Sequence, residues 1–207
     1  MAGNIGVGKS TLVEILAEDW GWQPYYELVE DHPYLADYYR ERQRWGFHSQ
    51  IWFLSQRFEQ QQEINDTPVP VIQDRSIYED YEVFVKGLLE QGILSYRDFR
   101  TYRRLYLALL KNVVPPSLII FLQADVPTLQ ARIAQRARPS EQGLPDAYLA
   151  QLNHRYDAWL QSWRLCPVVA LPTDGVDVLR DPAARQRVLA TVRDAVAQHL
   201  PGVRSGR

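Results

Sequence analysis

Gly3-Asn4-Ile5-Gly6-Val7-Gly8-Lys9-Ser10 satisfies the pattern G-x-x-x-x-G-K-[ST]. A chance match in a chain of ordinary composition and this length has a probability of roughly 1%. Glycines at these positions let successive backbone N–H groups turn inward around phosphate oxygens. Lys9 adds a full positive charge, and the helix predicted from Leu12, Ile15 and Leu16 aims the positive end of its dipole at the same spot. Ser10 can offer its hydroxyl to Mg²⁺. The phosphate cradle is therefore read as Gly3, Asn4, Ile5, Gly6, Val7, Gly8, Lys9, Ser10 and Thr11. A glycine-rich turn capped by a serine would share these letters, but the helical pattern follows where a phosphate loop requires it. Such a loop follows a buried strand, and only Met1 and Ala2 precede Gly3. The expectation is that the strand carrying the loop is missing, either because the start lies upstream of Met1 or because the sheet has a gap.

Working outward, the short apolar runs Val69–Ile72, Leu118–Leu122 and Val168–Leu171 suit strands buried on both faces of a parallel sheet, with Gln23–Glu27 a weaker fourth. Between them lie helical spacings: Phe47, Ile51, Leu54 and Phe58; Phe99, Tyr102, Tyr106, Leu109 and Val113; Leu149, Leu152, Tyr156, Trp159 and Trp163. A last helix is predicted to begin at Asp181-Pro182 and stop at Pro201-Gly202. Strands separated by helices mean an α/β sandwich around a parallel sheet. No repeat, low-complexity tract or linker divides the chain, which predicts one domain over 1–207.

The 207 residues are 46% hydrophobic and 23% charged, which argues against disorder and a disulfide-stapled miniprotein. The net charge of -2 shows no basic surplus that would point to nucleic acid or a membrane surface; positive charge for a phosphate must be local. Cys166 is the only cysteine, so no internal disulfide forms, which fits a reducing cytosol. No apolar run reaches the length of a membrane span and no signal pattern opens the chain, making cytoplasmic the default. His32, His48, His154 and His199 lack metal-ligand spacing, and Glu30, Asp31 and Asp37 lack the spacing of a calcium loop.

Beyond the loop, further segments carry a resemblance that spans nearly the whole chain. They are Tyr26-Glu27-Leu28-Val29-Glu30-Asp31, the stretch from Tyr39 through Trp45-Gly46-Phe47 to Gln50 and Arg57, Asp74-Arg75-Ser76-Ile77-Tyr78-Glu79-Asp80, and Arg132 to Gly143. Together they resemble the deoxynucleoside kinase family, which includes bacterial deoxyguanosine and deoxyadenosine kinases and animal deoxycytidine and deoxyguanosine kinases. The resemblance implies the three-layer sandwich of the P-loop kinases, ATP as phosphate donor with Mg²⁺, a small deoxynucleoside as acceptor and a homodimer built through the helices around Phe47–Phe58 and Phe99–Val113.

By its letters alone, Glu27 suits a solvated acidic turn as well as a carboxylate at the edge of the sheet; the resemblance makes it the general base for the 5'-hydroxyl. Val69–Ile72 leads straight into Asp74 and Arg75. The resemblance implies that Asp74 holds Mg²⁺ with Ser10 and that Arg75 pairs with Glu27 and the reacting oxygen. Without it, an Asp helix cap with an ordinary ion pair is the alternative. Arg132 and Arg136 lie four apart on a helix starting near Asp125 and Pro127, with Arg138 off that face. They look like the family's lid arginines, over a segment of about 132–143, and would neutralise the transferring phosphoryl group.

Gln50 and Arg57 lie seven apart on one helix face, and Asp80 and Phe84 share another. The resemblance implies that Gln50, Arg57 and Asp80 read the base, that Phe84 stacks on it, and that Tyr39 and Glu141 hold the sugar 3'-hydroxyl. The Arg57/Asp80 combination resembles purine and cytosine kinases, so purine deoxynucleosides, then deoxycytidine, are expected before thymidine. Ser49 and His32 stand where animal members carry a phenylalanine and a tryptophan, with Trp52 and Phe53 as possible compensation. Two alternatives are a nucleoside monophosphate kinase of the thymidylate type, which needs more basic residues for its acceptor, and a non-catalytic kinase-like subunit, which would not need Lys9, Ser10, Glu27, Asp74 and Arg75 together.

Overall fold

The computed structural model describes residues 1–27, 29, 31–138, 141 and 143–203. Leu28 and Glu30 of the acidic segment, and Pro139, Ser140 and Gln142 of the lid stretch, lie outside the described residues. In chain order the elements are β1 (Ala2–Gly3), α1 (Lys9–Trp20), β2 (Gln23–Tyr25), α2 (Leu35–Arg40), α3 (Arg42–Asp66), β3 (Val71–Gln73) and α4 (Ile77–Glu79). The last runs without a break through a π-helical stretch, Asp80–Val85, into α5 (Lys86–Glu90). There follow α6 (Tyr96–Leu109), β4 (Ile119–Gln123), α7 (Val126–Arg136), α8 (Asp146–Ser162), β5 (Val168–Pro172) and α9 (Pro182–His199).

All strand pairings are parallel: β1 with β4, β4 with β5, and β2 with β3. Met1 joins the two sheets, its amino group donating to the Gln73 carbonyl at 2.7 Å and its carbonyl accepting from the Arg75 N–H at 3.1 Å. Across that bridge the order reads β2-β3-β1-β4-β5. The first strand, expected to be absent or cut short, is present as two residues. Ala2 and Gly3 pair with Phe121 and Leu122, so two residues bring the phosphate loop to the end of the sheet.

β4 explains the layers. Ile119 and Phe121 enter one apolar cluster, with Leu54 of α3, Tyr102 of α6, and Tyr156 and Trp159 of α8. Ile120 and Leu122 enter the other, with Leu16 of α1, Leu129 of α7 and Val192 of α9. Alternate side chains of one strand thus face the two helical layers, as a strand buried on both faces requires. The strand expected over Val69–Ile72 begins only at Val71, and Val69 is exposed.

Caps end the helices as their letters suggest. Asp125 accepts from Thr128 N–H at 2.8 Å before α7, and Asp181 accepts from Ala183 and Ala184 N–H at 2.9 and 3.0 Å before α9. In α3 the outcome differs from the apolar stripe. The buried residues are Gly46, Ser49, Gln50, Leu54, Arg57 and Gln61, while Phe47, Ile51 and Phe58 are only partly covered. The inward polar residues have polar partners of their own: Ser49 meets His32, Arg57 meets Glu27 and Asp80, and Gln61 meets Asn65, while Gln50 lines a cavity.

Gly3 adopts φ 143° where a Cβ would stand 2.6 Å from the Leu122 carbonyl oxygen. Gly3→Ala is expected to cost at least about 1–3 kcal/mol from backbone strain alone, seen as a melting temperature lower by several degrees in differential scanning calorimetry.

Candidate active site

The carboxyl ends of β1, β2 and β3 deliver the phosphate loop, Glu27 and Asp74-Arg75 to one place, at the point where the strand order reverses. A cavity of about 390 Å³ lies there, lined among others by Lys9, Ser10, Glu27, Asp74, Arg75 and Asp80. Its size is that of a small-molecule site.

The loop is built from within. Gly8 caps α1 at φ 102° and no acidic residue occupies the first helical turn, so the positive end of the helix faces the loop unopposed. Asn4 holds the curve: its side-chain oxygen accepts from Ile5 N–H at 2.7 Å, and its amide donates to the Leu149 carbonyl at 2.9 Å and to Asn153 Oδ1 at 2.7 Å. Asn153 in turn donates to the Ala124 carbonyl at 2.9 Å, tying the loop to α8 and the end of β4. Lys9 Nζ donates to the Asn4 carbonyl at 2.9 Å. Burial, reinforced by Arg75, brings its pKa down to about 8 against the pull of Asp74, Glu27 and Glu79.

Glu27 is the hub. Its Oε1 accepts from Arg57 Nη2 at 2.7 Å and its Oε2 from Arg75 Nε at 3.1 Å. Burial pushes its pKa up, but Arg75, Arg57 and Lys9 outweigh burial and hold it at about 2. Ser10 Oγ donates to Asp74 Oδ2 at 2.6 Å, while Asp74 Oδ1 is buried with no partner among the described residues. Arg75 occupies the left-handed region at φ 66°, a strain that the packing around it sustains. Phe84 lies 4.8 Å from its guanidinium carbon, against the face of the ring.

Arg57 is 4% exposed and spent on protein partners: Glu27, Asp80 Oδ2 at 3.3 Å and the Asp74 carbonyl at 3.1 Å. It stands behind Asp80, which itself lines the cavity with Gln50 and Phe84. The π-helical stretch begins at Asp80. Asp80 and Phe84, four apart within it, line the same wall. Burial raises Asp80 to about 6 even against Arg57, with Glu27 and Glu79 adding to the rise.

Tyr39 and Glu141 also line the cavity. Glu141 pairs with Arg136 and, at 3.7 Å, with Arg138, so the arginine expected off the face joins the one expected on it. Arg132 is placed elsewhere. It donates to the Val7 carbonyl at 3.0 Å, to the Thr173 hydroxyl and carbonyl at 3.0 and 2.6 Å and to the Val176 carbonyl at 2.9 Å, riveting the phosphate loop to the segment after β5. His32 and Ser49 complement one another at 3.0 Å. Because His32 Nδ1 accepts from Tyr34 N–H at 3.1 Å, its Nε2 carries the proton given to Ser49. Trp52 packs on that imidazole at 4.2 Å between ring centres, and Phe53 reaches the cavity wall.

The family model for "Deoxynucleoside kinase" matches residues 1–197. The chain belongs to the deoxynucleoside kinase family. This kinase is 34% identical over 198 residues to a deoxyadenosine/deoxycytidine kinase of Bacillus subtilis, covering 95% of this chain and 91% of the relative. It is 38% identical over 172 residues to a deoxyadenosine kinase of Dictyostelium discoideum, covering 83% of this chain and 70% of the relative. The solved structure of a deoxyadenosine kinase from M. mycoides with bound dATP superposes with a TM-score of 0.80 at 25% identity, over 92% of this chain and 96% of that one. The fold is that of a P-loop kinase, and the protein is an enzyme that phosphorylates nucleosides.

Among the residues that escaped the sequence reading are Asn4's partner Asn153, the Arg75 partners Glu79 and Tyr156, and Tyr148 on the cavity wall. Asn153 and Tyr156 sit three apart on α8, a spacing that reads equally as helix packing.

For Asp80, a folded-state pKa near 6 against an ordinary value near 3.8 means that its favourable contribution is complete below pH 3.8 and is lost as pH rises through 6. Asp80→Asn is expected to flatten this part of the stability profile between pH 4 and 6, by about 1–3 kcal/mol across the window in urea titrations.

Proposed function

We propose that this kinase transfers the γ-phosphate of ATP to the 5'-hydroxyl of a deoxynucleoside, a purine deoxynucleoside or deoxycytidine in preference to thymidine, and so salvages it as the monophosphate. The observation that carries the reading is the meeting of Lys9, Ser10, Glu27, Asp74 and Arg75 on one cavity. Relatives named for deoxyadenosine, deoxycytidine and deoxyguanosine support the acceptor class.

In this reading the loop's N–H groups and Lys9 hold the triphosphate. Mg²⁺ fits Ser10 and Asp74, because Asp74 Oδ1 is a buried oxygen with no partner among the described residues and Ser10 Oγ lies beside Oδ2. When bound, the ion neutralises charge on the β- and γ-phosphates. Glu27 receives the 5'-hydroxyl proton. A carboxylate held near pKa 2 is a weak base, so its main contribution is to orient that oxygen in line until the loose transition state has made it acidic. Arg75 and Arg136 face the developing charge. Arg132, bound to the loop's Val7 carbonyl, acts on the donor through the loop's shape. Asp80, with Gln50 beside it, offers an acceptor to an amino group on adenine or cytosine, while Phe84 supplies a stacking face. Tyr39 and Glu141 suit the 3'-hydroxyl. Leu105, exposed on α6, leaves an apolar side chain open on a helix that a homodimer would use. A cytoplasmic setting goes with the single unpaired Cys166.

The reading is tested with Glu27→Gln. Its kcat for deoxyadenosine and deoxycytidine is expected to fall about 10²–10⁴-fold while ATP still binds; an unchanged kcat would remove Glu27 from the chemistry. A second expectation concerns Lys9. Its pKa of about 8 must rise when phosphate arrives, so ATP binding takes up a proton near pH 8 and weakens above it. Calorimetry in buffers of different ionisation enthalpy measures that uptake directly.

A further inference from the structure

Arg75 is anchored at a second end that the chemistry above does not use. Its Nη1 donates to the Tyr156 hydroxyl at 2.5 Å, and that hydroxyl donates to Glu79 Oε2 at 2.7 Å. The same carboxylate oxygen lies 3.5 Å from Arg75 Nη1. Glu79 Oε1 accepts from Ser76 N–H at 3.2 Å, closing the capping box that starts α4. Tyr156 is fully buried and Glu79 is 1% exposed. One hydroxyl thus serves as acceptor for a guanidinium and donor to a carboxylate, its full hydrogen-bonding capacity along this line.

We propose that Tyr156, with Glu79, is a positioning pair for Arg75, fixing the far edge of its guanidinium so that Nε meets Glu27 and the remaining edge of the fork is presented to the cavity. The inference rests on the roles of Arg75 and Glu27 given above. A backbone held at φ 66° leaves the guanidinium's direction to its side-chain contacts. Those contacts come from three sides: Glu27 at Nε, Tyr156 and Glu79 at Nη1, and the Phe84 ring against its face. Without Tyr156 the arginine could satisfy Glu79 directly, which would draw Nη1 inward and tilt Nε away from Glu27.

The ring of Tyr156 is core, stacked 5.8 Å from Phe121 and 6.2 Å from Trp159 between centres. Burial raises its phenol pKa well above the ordinary value, with Glu79 adding to the rise and Arg75 opposing it. The hydroxyl therefore stays a donor. Tyr156→Phe removes only that hydroxyl and keeps the packing.

The expected result for Tyr156→Phe is a kcat lower by about 10–100-fold, as for loss of an interaction made mainly in the transition state. The KM for nucleoside and for ATP should stay within about threefold, and the melting temperature within about 5 °C. In ¹⁵N spectra of arginine side chains, the slow guanidinium rotation of one buried residue, absent from Arg75→Lys, should become fast. Glu79→Gln keeps the shape but has one acceptor oxygen where Glu79 uses two, for Ser76 N–H and the Tyr156 hydroxyl, and should show the same kcat-against-KM split. A kcat within twofold of the parent in both variants, or losses of kcat and of both KM values in step with melting temperature, would overturn the proposal. Glu27→Gln and Arg75→Lys run alongside: if they too keep the parent kcat, it is the assignment of the reacting groups that fails, separately from Tyr156.

Discussion

One carboxylate gripped by two guanidiniums organises this molecule. Glu27 follows β2, Arg57 rises from the middle of α3 and Arg75 follows β3, so their meeting fixes three elements relative to one another. Buried charges are costly unless each finds its partners, and the partners here are shared onward: Arg57 with Asp80, Arg75 with Glu79 and Tyr156. Removing Arg57 leaves Asp80 without its ion-pair partner, and removing Arg75 does the same to Glu79.

That demand also explains two departures from regular helices. α3 points Ser49, Gln50, Arg57 and Gln61 inward although phenylalanines lie at good core spacing along it. Downstream of Ser76 the helix widens at Asp80, where buried carboxylates at 79 and 80 must reach opposite partners, Tyr156 on one side and Arg57 on the other. π-Helical stretches occur frequently at functional sites.

The fold was largely legible in the sequence because its signals are local. Two-faced strands read as continuous apolar runs, helix starts carry Asp125 and Asp181, and the phosphate loop is a contiguous pattern. The strand ahead of that loop was not, since two residues give no periodicity; its existence depends on pairing with Phe121 and Leu122 across the sheet. The charged groups that meet on the cavity were legible through the family's motifs. Their supports were not: Asn153 and Tyr156 look like helix-packing residues until α8 is laid against the loop and against Arg75. Arg132 and Arg136 have identical spacing arguments, yet one binds a backbone carbonyl of the loop and two after β5, and the other a carboxylate on the cavity wall.

By itself, the order of residues determined the phosphate cradle, the parallel α/β layout and the set of charged groups available for chemistry, because backbone conformation, caps and hydrophobic periodicity act over a few residues. Tertiary structure alone decided which charges pair. Glu27, Arg57, Arg75, Glu79 and Asp80 admit many pairings on paper, and the selection among them is made by desolvation, which only the packed layers impose.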